Sequence, residues 1–144
     1  MKLKFKLTSE TTTNSLGETL YRIEATVDIP ARGVKKGDRG GFVSSETVNG
    51  NPRISDNAWV SDNAQVFGNA QVYGNAQVFG NAWVYGNAQV YGDAQVYGNA
   101  CIYGNALVSD NARVSGNAWV SGNALVDDDA RVCGNAIVSG NTRI

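Results

Sequence analysis

The chain has 144 residues, 42% of them hydrophobic, with 17 glycines, two cysteines, no histidine and a net charge of −1. No apolar run approaches the roughly 18 residues that span a membrane, and two cysteines do not make a disulfide framework. The charge balance argues against a nucleic-acid-binding protein. The start, MKLKFKLTSE, lacks the apolar core of a signal peptide, so we expect a cytoplasmic protein with no membrane segment.

The N-terminal segment has the alternation of a β-hairpin. Apolar and polar residues alternate over residues 2–8 and again over 19–29, with the polar turn TTTNSLGE between them. Pro30 should end the second strand, because proline has no amide hydrogen to donate to the ladder. A basic, glycine-rich connector follows over residues 31–41. We predict that residues 1–41 form a hairpin and connector that cap one end of the remaining domain.

A six-residue repeat occupies the rest of the chain. From Ile54 to Ile144 an aliphatic residue recurs at every sixth position, sixteen times without an insertion. Phe42 and Val48 continue this phase backwards. Alanine stands two positions before the aliphatic residue in nearly every hexad, and Asn or Asp precedes the alanine. The pattern predicts a repeat domain over residues 42–144.

A period of six excludes a helix, because successive valines would point in three directions around its axis. Two β-architectures remain: a meander of short strands joined by Gly-Asn turns, and a solenoid in which three hexads close a triangular coil of 18 residues. The residue types favour the coil. Valine and alanine would point inward, Gly-Asn tolerates a left-handed bend, and stacked asparagines could hydrogen-bond between coils. We therefore predict an all-β, single-stranded parallel β-helix.

The phrase V-x-G-N-A-x resembles the hexapeptide repeat of left-handed β-helix proteins, best known from bacterial acyltransferases. The resemblance covers residues 42–144 and implies a left-handed coil. A hairpin, then GVKKGDRGGFV at 33–43, then NAxVxG repeats, is more similar still to a group of bacterial and phage hexapeptide proteins, some described as acetyltransferases. This second resemblance implies a phage or prophage accessory role, such as binding a host factor in the host cytoplasm.

An 18-residue coil sorts the outward residues into three ladders. The residues directly before each inward aliphatic form a first ladder of Arg53, Gln71, Gln89, Leu107, Leu125 and Arg143, a second of Trp59, Gln77, Gln95, Arg113 and Arg131, and a third of Gln65, Trp83, Cys101, Trp119 and Ile137. The residue after each aliphatic is aromatic from Phe67 to Tyr103 and mostly serine afterwards.

The third ladder is the most apolar, and with its aromatic neighbours it predicts an exposed interface. The alternative is that the aromatic residues only stack on one another along the sheet. The predicted interface comprises Phe67, Trp83, Tyr85, Cys101, Tyr103, Trp119 and Ile137.

Two modes of self-association follow. The apolar third ladder could join copies side by side, and the resemblance to acyltransferases implies a trimer. A solenoid also leaves open sheet edges at its ends. Because Ile144 is itself an inward position, tail-to-tail stacking of two chains through Ile144 is the second expectation.

The chemistry available to an enzyme is limited. Hexapeptide acyltransferases use a histidine as general base, and this chain has none, so we predict no catalytic activity and no cofactor. The same absence excludes a three-histidine zinc site. Oxygen-rich neighbours could hold Ca²⁺ where coils stack, although we favour a plain solvated bend. The residues of that weak candidate are Asp110, Asp127, Asp128 and Asp129.

The connector offers a second weak site. Lys35, Lys36 and Arg39 lie among glycines and could form an anion-binding nest, or simply a turn that leads into the solenoid.

We therefore predict a non-catalytic solenoid that binds a protein partner or assembles copies of itself through its aromatic faces. One alternative is a small-molecule binder whose ligand lies between adjacent solenoids of an oligomer, where the acyltransferases hold theirs. Another is a diverged acyltransferase-like protein.

Overall fold

A computed structural model describes residues 3–144 of the chain, which are all-β apart from one 3-10 turn at Pro30–Arg32. Met1 and Lys2, where the first strand was predicted to begin, lie outside the described residues. Within residues 3–144 no helix is long and apolar enough to cross a membrane. The β-structure consists of an N-terminal hairpin and a long array of stacked short strands.

The predicted hairpin is present and joins the solenoid directly. Strands β1 (Phe5–Thr13) and β2 (Thr19–Ala25) pair antiparallel. Strand β3 (Arg39–Val43) pairs antiparallel with β2 and parallel with the coil strand Gln65–Val66. The predicted boundary between residues 41 and 42 therefore lies inside β3, and the hairpin and the solenoid share one sheet.

Strand β2 ends at Ala25, earlier than the predicted residue 29. Beyond it the chain closes a local turn, in which the Ile29 amide donates to the Val34 carbonyl at 2.8 Å. The Ala25 amide donates to the Asp38 carbonyl, also at 2.8 Å. The Thr26 amide still donates to the Lys4 carbonyl at 2.9 Å, but from Ile29 onward the backbone groups find their partners within the turn, so the pairing with the first strand stops.

The remaining strands are short. Strands β4 (Thr47–Val48) and β5 (Asn51–Pro52) form an antiparallel pair. The two-residue coil strands then follow in chain order: β6 (Trp59–Val60), β7 (Gln65–Val66), β8 (Gln71–Val72), β9 (Gln77–Val78), β10 (Trp83–Val84), β11 (Gln89–Val90), β12 (Gln95–Val96), β13 (Cys101–Ile102), β14 (Leu107–Val108), β15 (Arg113–Val114), β16 (Trp119–Val120), β17 (Leu125–Val126), β18 (Arg131–Val132) and β19 (Ile137–Val138).

Three sheets form the sides of the solenoid, and each is named here for outward residues that it carries. The tryptophan sheet has the order β1-β2-β3-β7-β10-β13-β16-β19, the leucine sheet β17-β14-β11-β8, and the arginine sheet β18-β15-β12-β9-β6. Coil strands pair in parallel with residues 18 positions away, so that Trp83 lies opposite Cys101. This register confirms the predicted solenoid and excludes the meander, whose neighbouring strands would pair antiparallel.

The core is a column of valine and alanine. All inward aliphatic residues from Val60 to Val126, and all alanines from Ala64 to Ala124, are 0% exposed. The β-branched valine side chain suits extended backbone, and alanine fits where the chain nears a corner. Both inward positions are those that the hexad predicts.

The corners explain why glycine and asparagine recur. Gly98 has the left-handed φ of +68°, and a Cβ built on it would lie 2.9 Å from the amide nitrogen of Gly116 in the next coil. Backbone conformation and close stacking therefore both favour glycine over most residues there. The next residue forms the predicted asparagine ladder, in which Asn69 donates to Asn87, and Asn87 to Asn105, each at 3.2 Å.

Some corners carry aspartate instead of glycine, at φ values of 54–58°. Asp62 accepts a hydrogen bond from the backbone amide of Gly80 in the coil above, at 3.1 Å. Asp110 accepts one from the amide of Asp128 at 3.2 Å. The carboxylate thereby gives a partner to an amide that faces the neighbouring corner.

The repeat phase begins later than predicted. Phe42 lies opposite Gln65 and Val43 opposite Val66, so Val43, rather than Phe42, takes the inward position. Val48 is buried but belongs to the β4–β5 pair, outside the coil ladders. Residues 44–52 loop out of the coil, and this excursion shifts the register that a constant period of six would require.

Arg53 keeps its predicted place at the lower end of the first ladder, since Ile54 bridges in parallel to Val72, but the expectation that Arg53 faces solvent was wrong, because the residue is only 1% exposed. Its guanidinium donates to the carbonyls of Gly68 and Ala70 at 2.8 and 2.9 Å. One coil higher, the equivalent carbonyl of Gly86 accepts instead from the backbone amide of Asn69, at 2.8 Å. The Arg53 side chain thus takes the place of coil backbone and closes the lower edge of the leucine sheet.

The hydrogen-bond partners of the Arg53 guanidinium are polar but uncharged. Ser45 contributes both its carbonyl and its hydroxyl to the guanidinium, each at 2.9 Å, and Ser44 accepts a further bond at 3.2 Å. Burial lowers the pKa of Arg53 to about 10, which leaves the guanidinium charged at neutral pH. A cation buried this way holds the 44–52 excursion against the first coil.

Trp59 lies opposite Gln77, as the second ladder predicts, but it is buried rather than exposed to solvent. The connector passes over it, and a Cβ built on Gly40 would lie 2.8 Å from its ring. A Cβ on Gly41 would lie 2.8 Å from the side chain of Val60. The paired glycines, Gly40 and Gly41, therefore let β3 lie directly against β6.

We expect Gly98→Asp to keep its free energy of unfolding within about 1 kcal/mol of the parent, because the new carboxylate can reach the amide above it as Asp62 does. Gly98→Val should lower the free energy of unfolding by about 2 kcal/mol or more, since a β-branched residue is strained at positive φ and the valine side chain accepts no hydrogen bond. Urea unfolding followed by circular dichroism measures both changes. Equal losses in the two variants would contradict the role assigned to the corner carboxylate.

Arg53→Met should lower the free energy of unfolding by about 3 kcal/mol, because it leaves buried carbonyls without donors. Arg143→Met is the matched control from the same ladder. Arg143 is exposed and pairs with Asp127 at 3.1 Å, so Arg143→Met should lower the free energy of unfolding by no more than about 1 kcal/mol. Thermal and urea unfolding compare the stabilities of the two variants. An Arg53→Met variant as stable as Arg143→Met would contradict the capping role of Arg53.

Candidate functional site

The tryptophan sheet brings the predicted third ladder together. Trp83 lies opposite Cys101, Cys101 opposite Trp119, and Trp119 opposite Ile137, on four successive coils. The predicted register of these residues is therefore confirmed. With their aromatic neighbours they form the apolar strip, defined as Trp83, Tyr85, Cys101, Tyr103, Trp119 and Ile137.

The rings of the strip take two orientations. Tyr85 stacks on Tyr103, with centroids 5.2 Å apart and planes at 9°. Trp83 stands at 73° to Tyr85, and Trp119 at 75° to Tyr103, with centroids 6.3 and 6.4 Å apart. The two tyrosine rings are thus stacked face to face, whereas each tryptophan ring is nearly perpendicular to its neighbouring tyrosine ring. Such edge-to-face pairs are favourable aromatic geometry.

Phe67 was predicted to be exposed on this strip, and that is wrong: the residue is only 3% exposed. It packs in a separate cluster with Leu20 of β2 and Phe42 of β3. Phe42 lies opposite Arg22 of β2, and the Arg22 guanidinium stands 4.2 Å from the centroid of the Phe42 ring. This contact holds the hairpin strand β2 against β3. The sheet extension by the hairpin therefore covers the lower end of the aromatic column.

A groove of about 320 Å³ opens along the strip. It runs from Ser15 and Leu16 in the hairpin turn to Trp119. Leu16 is 57% exposed, Trp119 49% and Ile137 70%, which makes them three of the four large apolar side chains that are exposed in the described chain. Leu16 was missed at the sequence level, although a large apolar residue in an otherwise polar turn is a usable signal.

The four coils of the strip are electrically neutral along this side. The hexads and corners that carry it contain no Asp, Glu, Lys or Arg over residues 80–87, 98–105, 116–123 and 134–141. Exposed Arg113 and Arg131 lie on the arginine sheet, and Asp127 lies beyond the leucine sheet. Charge in this half of the chain is therefore confined to the other two sides.

The ionisable groups in the groove are a thiol and phenols. Burial raises the pKa of Cys101. Burial also raises the pKa of Tyr85, and the nearby Cys101 and Tyr103 add to that effect. Both groups are therefore protonated at neutral pH, which leaves neither of them as a ready nucleophile or base.

The predicted anion-binding residues are engaged within the chain. The amides of Lys35 and Lys36 donate to the carboxylates of Asp38 and Asp28, at 2.9 and 2.8 Å. Arg39 pairs with a carboxylate of β1 at 3.0 Å. The amides that a nest would offer to an anion already have partners, so this arrangement gives no support to the site.

The predicted calcium ligands are likewise used in the fold. Asp127 pairs with Arg143 at 3.1 Å, Asp110 accepts from the Asp128 amide at 3.2 Å, and Asp129 accepts from the asparagine ladder at 3.3 Å. Among residues 3–144, no group of three or more His, Cys, Asp or Glu is placed to hold a metal ion. The aspartates therefore act here as corner and ladder residues.

Ile144, the predicted tail-to-tail contact, is 46% exposed. Its amide donates to the Leu125 carbonyl at 2.9 Å, which places it on the leucine side of the last coil. It lies apart from the apolar strip in the sheet order.

Segments of the array match the model of the YdcK beta solenoid repeat over residues 70–86, 76–92, 94–108, 100–116, 108–122 and 130–144. The chain is a β-solenoid repeat protein. The matched segments include each coil of the apolar strip, from Trp83 to Ile137. A search of curated proteins found no match to the chain.

The two cysteines of this solenoid are both free, with Cys101 half-buried and Cys133 exposed. Because the thiolate is the reactive form and burial raises the Cys101 pKa, we expect N-ethylmaleimide at pH 7 to modify Cys133 at least about tenfold faster than Cys101. The single-thiol variants Cys101→Ser and Cys133→Ser give the two rates by mass spectrometry. Equal rates would show that Cys101 is as open as Cys133.

Proposed function

We propose that this solenoid is a non-catalytic interaction module that binds a protein through the apolar strip. The observation that carries the proposal is a side of the molecule that is apolar and free of charge over four successive coils, half-buried at Trp83 and Cys101 and exposed at Trp119 and Ile137. Exposed apolar surface of this kind marks protein-binding sites, and tryptophan and tyrosine are the residues that most often dominate their energetics.

The charge distribution supports a protein partner over a polyanion. A nucleic acid or an acidic surface would need clustered lysine and arginine, which the four coils of the strip lack. The absence of histidine from the chain, and the protonated thiol and phenol in the groove, support a role without catalysis. Binding of a host factor, implied by the resemblance to phage proteins, is one form that this function would take.

The groove favours a second candidate, a small-molecule binder. Its volume of about 320 Å³ is at the lower end of the roughly 300–1,000 Å³ of ligand pockets, and its walls are aromatic. A compact apolar or aromatic ligand would fit such a site. A thermal-shift screen that raises the melting temperature of the parent, but not of Trp119→Ala, would favour this candidate over the protein partner.

The test of the protein-binding function is a photo-crosslinking residue placed at Ile137 in the full chain, expressed in cells. Arg131 is the matched control, because it is also exposed and lies one strand earlier on the arginine sheet. We expect a protein adduct from position 137 and much less from 131. Absence of any adduct at 137, or equal adducts at both positions, would contradict binding through the strip.

A further inference from the structure

Side-chain size alternates along the third ladder. Trp83 and Trp119 are large, Cys101 between them is small, and Ile137 beyond them is of intermediate size. Rungs of a sheet are about 4.8 Å apart, so the two tryptophans flank a notch roughly 9.6 Å across. The floor of that notch is the half-buried Cys101.

This order is complementary to itself when reversed. A twofold axis that lies in the plane of the face, perpendicular to the solenoid and midway between the rungs of Cys101 and Trp119, places a second copy face to face and running in the opposite direction. The partner's Trp119 then enters the notch at Cys101, and Trp119 enters the partner's notch. Trp83 meets the partner's Ile137, and Ile137 meets the partner's Trp83.

Other registers match less well. An axis through the rung of Cys101 sets Trp83 against the partner's Trp119, which pairs large with large. A twofold axis parallel to the solenoid sets each residue against its own equivalent, so that tryptophan opposes tryptophan and Cys101 opposes Cys101. Of these three registers, the first is the one that fills the notch and leaves every large residue facing a smaller one.

We propose that the partner of the apolar strip is a second copy of this chain, bound antiparallel with Trp119 of each copy in the Cys101 notch of the other. This inference rests on the proposed function, since it names the partner of the same surface. The neutral charge of the strip fits it, because the four rungs of the two copies that meet carry no charged residue that would lose its water without a partner.

The hairpin turn adds to the fit. Leu16 and Ile137 are the two most exposed large apolar side chains of the described chain, at 57% and 70%. Leu16 lines the groove beside Trp83, where the antiparallel register places the partner's Ile137. Each copy therefore covers the exposed apolar residues of the other.

The size of the strip sets the expected strength. The four rungs of the strip, spaced about 4.8 Å apart, cover about 300 Å² per copy. This area is well below the roughly 800 Å² that each partner buries in a stable interface. We therefore expect a weak dimer, with a dissociation constant in the range of about 10 μM to 1 mM.

The test is a size swap, measured by sedimentation velocity of the full chain in reducing buffer. Cys101→Trp fills the notch and Trp119→Cys removes the side chain that fills it, so each should raise the dissociation constant at least about tenfold. The double variant restores large against small on both rungs, and its dissociation constant should return to within about threefold of the parent. Cys133→Trp is the control, because it makes the same change on the arginine side and should leave the dimer unchanged.

A monomeric parent at about 1 mM, a double variant no better than the single ones, or a control that also dissociates would each overturn the dimer. Circular dichroism melting verifies that the variants fold. Should a swapped variant not fold, a photo-crosslinker at Ile137 in mixed ¹⁴N and ¹⁵N protein tests the same register. Crosslinks between copies should map to residues near Leu16 or Trp83, and crosslinks to 134–141 would instead show a parallel pair.

The two proposals fail in different ways. If the purified chain is monomeric but position 137 captures another protein in cells, the dimer is wrong and the interaction function stands. If position 137 gives no adduct in cells and the purified chain is monomeric, both are wrong.

Discussion

Coil stacking at a constant interval of 18 residues is the constraint on which the rest of this structure depends. Corner glycines lie so close to the next coil that an added Cβ would meet its backbone at about 3 Å, as at Gly98. An inserted residue in any coil would displace every ladder above it. The array therefore keeps one register from Ile54 onward, and its strands need only two residues each.

This constraint divides the residues of each hexad by role. The inward valine and alanine, the corner glycine and the ladder asparagine hold one coil on the next and leave little freedom for change. The two outward positions, directly before and after the inward aliphatic residue, are less constrained by coil stacking, and most of the variation in residue type along the array occurs there. Along the tryptophan sheet this variety becomes an uncharged apolar strip, whereas the arginine sheet carries stacked Arg113 and Arg131. The same scaffold thus presents sides of different character to solvent.

The lower end of the solenoid shows how a repeat array is closed. Below the first coil no identical coil supplies hydrogen bonds or covers side chains, so irregular residues take over both tasks. Arg53 donates to coil carbonyls, paired glycines let β3 pass over Trp59, and the hairpin extends the tryptophan sheet. As a result Phe67 is removed from the surface, and Leu16 is delivered to the groove along the strip.

The sequence by itself determined the solenoid, its 18-residue coil and the sorting of outward residues into three ladders. These follow from local periodicity, because each coil repeats the environment of the one before it, so position in the hexad fixes which way a side chain points. The stacking of Trp83, Cys101, Trp119 and Ile137 could therefore be predicted, as could the asparagine ladder. Only the tertiary structure decided what happens where the repeat stops. The burial of Arg53, Trp59 and Phe67, the shift of register between Val43 and Ile54 and the place of Leu16 depend on contacts that the hairpin, the connector and the 44–52 excursion make with the first coil, and such contacts leave no period in the sequence.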